Sequence, residues 1–143
     1  MALLRKAREC ALQMLYQWDI GRADPARIEA TFWKATRGSG ETRRHANRLF
    51  EGAVADSALS DELIARHSES WRIERLAAID RSILRLAVHE LRRGEAAERI
   101  AINEALELTK KFSEPAATAF VNGVLDAIRK SLAEPKSESP VES

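Results

Sequence analysis

The chain has 143 residues, a single cysteine (Cys10) and a net charge of +1. That length holds one domain, or two small halves around a shared core. One cysteine excludes an internal disulfide, and no apolar stretch approaches the ~20 residues that span a bilayer. The lone thiol and the lack of a signal peptide point to the cytoplasm. The charge is uneven: residues 1–50 hold ten basic and five acidic residues. A basic amino-terminal third on a nearly neutral protein suits either a local anionic partner or a solvated helix face.

Ala, Leu, Arg and Glu dominate and no apolar–polar alternation marks a strand, so the composition predicts an all-α protein. A first helix is expected from Leu3 to Asp19, with Leu4, Ala7, Ala11, Met14, Leu15 and Trp18 inward. Asp24-Pro25 is a helix-start signal for a second, carrying Ile28, Phe32 and Trp33 and ending near Gly38-Ser39-Gly40. A third, long helix is expected from Glu41 to His67, its stripe running from Ala46 through Leu49, Phe50 and Leu59 to Ile64. Trp71 then fills the space between two halves, residues 1–67 and 71–132. Leu76 to Arg93 forms the next helix, with Ile79, Ile83, Leu86 and Leu91 inward and Gly94 as its stop. Two more follow, from Ile100 to Phe112 and from Ala116 to about Leu132, separated by Pro115. The pattern therefore predicts a compact bundle of six or seven helices, residues 1–132, and a disordered polar tail, 133–143.

Inside the last helix stand Asn122 and Gly123, both weak helix formers. A helix-interior glycine costs about 1 kcal/mol relative to alanine. The pair calls for a packing or binding reason; a packing joint would have Gly123 admit a neighbouring helix and Asn122 hydrogen-bond across the contact.

Catalytic chemistry finds no support. His45, His67 and His89 are far apart in sequence, lack metal-ligand spacing, and are expected at the surface or an interface. Glu104 and Glu107 share a helix face without a nucleophile or metal motif beside them, and Cys10 is expected to be a buried small apolar residue. No metal and no cofactor is expected. Binding is better supported. Arg5, Lys6 and Arg8 cluster at the start of the first helix, where cations oppose the helix dipole by roughly 0.3–1 kcal/mol each and no capping side chain precedes them. A polyanion would relieve that repulsion.

Three blocks carry a resemblance. Ala7-Arg8-Glu9-Cys10-Ala11-Leu12-Gln13-Met14-Leu15-Tyr16-Gln17-Trp18 resembles the first helix of the NusB transcription antitermination factors. Ile79 to Ala87 with Glu90-Leu91 resembles their central helix, and Ile100 to Leu108, Lys110, Phe112 and Phe120 to Asp126 resemble their last two. Order and spacing agree from Arg5 to Ile128.

The resemblance implies an all-helical RNA-binding protein that pairs with NusE, a small-subunit ribosomal protein. It implies binding to the boxA element of nascent ribosomal RNA, within an RNA polymerase antitermination complex that keeps transcription processive. It also implies that Arg5, Lys6, Arg8 and Phe120 lie at the RNA surface and that Tyr16 and Asp80 lie near the RNA or NusE surfaces. Single-stranded RNA calls for such a mix of cations and flat rings. The chain departs from the family at Ala96-Ala97, where a proline is usual, and in the loop 113–119, which lacks the usual glycine and serine. Two other readings stay open. A similar domain begins certain ribosomal RNA cytosine methyltransferases, but too few residues follow Ile128 for a catalytic domain. The chain could also be a helical protein adaptor or a self-associating homodimer.

Overall fold

A computed structural model of the chain describes residues 2–68 and 72–134. Among them are seven α-helices and no strand: α1 (Ala2–Gly21), α2 (Pro25–Ala35), α3 (Gly40–Ala55), α4 (Ser57–His67), α5 (Ala78–Arg93), α6 (Glu98–Phe112) and α7 (Ala117–Ala133). A 3-10 turn at Ile73–Arg75 leads into α5. Trp71 and the tail beyond Glu134 lie outside the described residues; Ala133, expected in the tail, is the last residue of α7.

The helix ends follow local chemistry. Asp24 caps α2, its carboxylate accepting from the Ala26 amide at 3.1 Å. Pro25 takes the first helical position, where a missing N–H leaves nothing unsatisfied. Ser39 caps α3 through the Thr42 amide at 3.1 Å. Gly94 stops α5 in the left-handed conformation, φ 70°, which glycine adopts without a steric penalty.

The long helix expected from Glu41 to His67 is two helices. Asp56 interrupts it at φ −87°, ψ 0°, between α3 and α4. Its carboxylate Oδ2 lies 2.7 Å from His89 Nδ1 and 3.3 Å from the Arg92 guanidinium, both on α5. The break turns α4 onto α5 and α7. Periodicity alone could not reveal it, because apolar residues continue at helical spacing on both sides. Leu59, expected inward, faces solvent on α4.

Helix α5 is the axis of the molecule. It packs against α1, α3, α4, α6 and α7. Every residue from Ser82 to Leu91 is consequently buried, rather than one inward stripe. Buried polar groups must find partners. Ser82 Oγ donates to the Ala78 carbonyl at 2.8 Å. Arg85 grips Asp61 of α4 at 2.7 Å and 2.9 Å and also Asp19 of α1. Arg81 holds Asp19 as well, at 2.6 Å and 2.9 Å, and caps the carbonyls of Ile73 and Leu76. Burial alone would raise the Asp19 carboxyl, but the hydrogen bonds from Arg81 and Arg85 outweigh it and hold that carboxyl below its ordinary range.

His89, expected at the surface or an interface, is buried where α5 meets α3. The reason is Gly52. A Cβ built on Gly52 would lie 2.3 Å from the His89 ring, so only glycine lets α3 approach α5 here. The apolar core is one cluster that runs through both halves, from Ala7 on α1 to Ile128 on α7.

Candidate nucleic-acid interface

The amino-terminal end of α1 has no acidic residue in its first turn. Four helix positions separate the fates of its cations. Lys6 is exposed and makes no ion pair among the described residues. Arg5 is exposed too, yet its guanidinium forks onto Glu104 of α6 at 3.1 Å and 2.7 Å. That hydrogen bond raises the Arg5 pKa further and holds the Glu104 carboxyl below its ordinary value. Glu104 is therefore a partner of Arg5 rather than a freely solvated carboxylate.

Arg8 stands apart. Its Nε donates to both carboxylate oxygens of Glu90 at 3.0 Å, and a terminal nitrogen sits 2.9 Å from Oε2. The two side chains are only 8% and 9% exposed. The expectation of Arg8 on an RNA surface is corrected: it is a buried strut between α1 and α5. The fork that suits a phosphate is already filled by a carboxylate.

Further along the solvent edge of α1, Glu9 pairs with Lys111 of α6 at 2.9 Å. Tyr16 follows, 39% exposed. With Gln13, Gln17, Ala78, Ile79 and Phe112 it lines a shallow groove where α1 meets the start of α5 and the end of α6. The Lys111 ammonium lies 5.6 Å from the Phe112 ring centroid. Asp80 closes one end of this region by accepting from Ser113 Oγ at 2.6 Å. The fold thus brings Tyr16 and the Asp80 segment together from positions far apart in sequence. Phe112 joins them. It lay within the resemblance but carried no assigned role; an aromatic directly after two lysines at a helix end was the available signal.

Phe120, on the first turns of α7, is half-buried against the core and is not among the groove's lining residues. Asn122 and Gly123 are exposed on the outer side of α7. A Cβ on Gly123 would meet nothing within 4 Å, and Asn122 makes no side-chain hydrogen bond among the described residues. The packing joint expected at this pair is absent; the glycine that lets one helix approach another is Gly52, between α3 and α5.

What remains is an edge of exposed cation, amide side chains and two flat rings, chemistry suited to phosphates and unstacked bases. Among the described residues no group of three or more His, Cys, Asp or Glu could hold a metal ion. No described helix is long and apolar enough to cross a membrane. Cys10 is buried, and burial pushes its thiol pKa up, away from the reactive thiolate.

The chain resembles known proteins over nearly its whole length. It is 43% identical to a transcription antitermination protein NusB of Sorangium cellulosum (strain So ce56), covering 87% of this chain and 90% of that protein. It is 44% identical to one of Solibacter usitatus (strain Ellin6076), covering 96% and 95%. Among solved structures, the solution structure of NusB from Aquifex aeolicus superposes with a TM-score of 0.84 at 30% identity, covering 98% of this chain and 97% of that one. A crystal structure of the antitermination factors NusB and NusE in complex with double-stranded RNA matches with a TM-score of 0.81 at 30% identity, covering 92% and 98%. Residues 5–130 match the NusB family, and the chain belongs to it.

Proposed function

We propose that this chain is an RNA-binding transcription antitermination factor. It acts with a NusE-type partner on the boxA element of nascent ribosomal RNA, in the cytoplasm, as part of an RNA polymerase antitermination complex. The observation that carries this reading is the solvent edge of α1. A helix end with no acidic residue in its first turn presents Lys6 and Arg5, and Tyr16 and Phe112 follow along the same edge. The structural likeness to NusB bound with NusE and RNA supports it. Arg5 and Lys6 supply phosphate contacts; Tyr16 and Phe112 offer stacking surfaces worth about 1–3 kcal/mol per base; Asp80 shapes the rim. Phe120 contributes a partly exposed ring on the adjoining helix.

One observation favours weak binding by the chain alone. Arg5 is committed to Glu104, and Arg8 to Glu90. An RNA phosphate must compete with the first, and the second is out of reach. The partner protein then supplies the missing contacts, and a protein-binding helical adaptor or self-associating dimer with little RNA affinity of its own is the alternative. Titrating boxA RNA with and without NusE separates the two. Micromolar or tighter binding that strengthens with NusE and falls steeply with salt supports the factor. Binding that ignores both NusE and salt, or an RNA-resistant dimer, supports the adaptor.

A further inference from the structure

The basic excess of the amino-terminal third lies mainly away from α1. Residues 26–50 contain six Lys or Arg against Glu29 and Glu41. Arg27, Lys34, Arg37 and Arg44 are exposed, and none makes a side-chain hydrogen bond or ion pair among the described residues. Three of these surround the corner where α2 turns into α3.

Side-chain contacts hold the corner together. Trp33 donates from Nε1 to Asn47 Oδ1 at 2.8 Å and meets Phe32 edge-on at 4.9 Å between centroids. Gly38 passes so close over the Trp33 ring that a Cβ there would sit 2.9 Å from it. Arg43 lies 5.4 Å above the same ring and donates to the Gly38 carbonyl at 3.2 Å, with no carboxylate partner among the described residues. A cation held over an aromatic face keeps its charge and loses little freedom on binding an anion.

The cations continue toward α1. Arg44 and Arg48 are one turn apart on α3 and share a face. Arg48 and Arg93 of α5 converge on one carboxylate oxygen of Glu95, at 2.7 Å and 3.3 Å. Both line a cleft of about 450 Å³ with His45, Leu4 and Arg8, so its opposite wall is the end of α1. Two other carboxylates border that cleft, Glu90 and Glu51. Glu90 is neutralised by Arg8. Glu51 neighbours Glu29, whose carboxyl pKa burial and then the nearby Glu51 carboxylate raise to about 8.

We propose that the α2–α3 corner, through Lys34, Arg37, Arg43 and Arg44, is a second RNA-backbone contact, continuous along Arg48 and Arg93 with the α1 edge. It engages nucleotides flanking those bound at α1. The contact is to phosphates and carries no sequence preference, since cations without convergent hydrogen-bonding side chains cannot discriminate bases. Charge complementarity and continuity with the α1 edge select RNA as occupant. The inference rests on the RNA-binding reading above, and its test keeps the two apart.

The test compares the wild-type chain with the triple variant Lys34→Gln, Arg37→Gln, Arg44→Gln, whose side chains have no hydrogen-bond or ion-pair partner to lose among the described residues. Two RNAs are titrated over a range of salt: a boxA-length RNA, and the same RNA extended at both ends by roughly 15 uridines. Wild type is expected to bind the extended RNA roughly tenfold more tightly, with a steeper salt slope. The triple variant loses that gain and about 2 units of slope for three phosphate contacts, while its affinity for the short RNA is unchanged. A gain that survives in the variant, or no gain in wild type, overturns the proposal. If the short RNA fails to bind but the extended one binds through the corner, the corner stands and the α1 reading falls. If neither RNA binds, both fall. Corner-dependent capture of a polyglutamate peptide with no effect of RNA extension overturns RNA as the occupant and assigns an acidic protein segment instead.

Discussion

The end of α1 and the α2–α3 corner are both rich in arginine, and they use it oppositely. At α1, Arg8 is buried on Glu90 and Arg5 is held by Glu104. At the corner, Lys34, Arg37 and Arg44 are exposed and make no ion pair among the described residues, and Arg43 rests on Trp33. A charge count along the sequence ranks the two segments alike. The packing shows that the first spends much of its charge on the fold and the second holds its charge available to solvent. Arginine near an amino terminus is thus no guide to a free cation until its partners are known.

The contrast can be broken most severely at Arg8. Arg8→Ala leaves Glu90 buried without its counter-ion and should cost about 3–5 kcal/mol in chemical denaturation. The double change Arg8→Met with Glu90→Leu should recover most of that loss. If Arg8→Ala were as stable as the parent, the strut would have no structural role. Removing corner cations, by contrast, should leave the denaturation curve nearly unmoved.

The glycines sharpen the same division between buried and open positions. Gly52→Ala forces a Cβ into the His89 ring, which Asp56 holds in place, and should cost about 1–3 kcal/mol. Gly123→Ala meets open space in a helix interior and should gain up to about 1 kcal/mol. Equal effects from the two substitutions would contradict the assignment of Gly52 as the close-approach position.

Under the corner, Glu29 of α2 makes the α2–α3 seam sensitive to pH. Burial, and then the neighbouring Glu51 carboxylate, raise its carboxyl from 4.5 to about 8. Between those values the unfolded chain releases a proton that the folded chain keeps. Its contribution to stability is therefore full below pH 4.5, declines as pH rises, and levels off above about 8. Glu29→Gln should flatten this decline, read as the urea midpoint at several pH values across that window. An unchanged pH profile in the variant would remove Glu29 as its source.

The smallest effect is expected at Arg5. Glu104→Gln breaks a pair whose arginine is exposed, and should cost the least stability of these changes. It also frees Arg5, so RNA affinity should rise severalfold; a drop in affinity would mean that the Glu104 clamp positions Arg5 for RNA instead of competing with it.

Much of this fold could be read from the chain itself. Apolar spacing located the helices, Asp24-Pro25 opened α2, and Gly94 closed α5. These are local signals, set by neighbours in sequence. What escaped was set by distant partners. The break at Asp56 depends on His89 and Arg92, and the burial of Arg8 depends on Glu90, 82 residues away. Asn122 and Gly123 misled for a related reason: poor helix propensity signals an unusual position but not which one, and here they sit at the open surface of α7. At the candidate site, Arg5, Lys6 and Tyr16 share one helix and could be grouped from sequence. Phe112 and the corner cations needed the tertiary arrangement.

The central claim is that exposed cations bind RNA while Arg8 serves the fold. The slope of log affinity against log salt for boxA RNA, taken with NusE present, tests it directly. Arg5→Gln with Lys6→Gln should flatten the slope by about 1.4 units, at roughly 0.7 per single-strand phosphate contact. Arg8→Met with Glu90→Leu should leave it unchanged. The reverse pattern, an unaltered slope in the first variant and a flattened one in the second, would place Arg8 on the RNA and contradict the account.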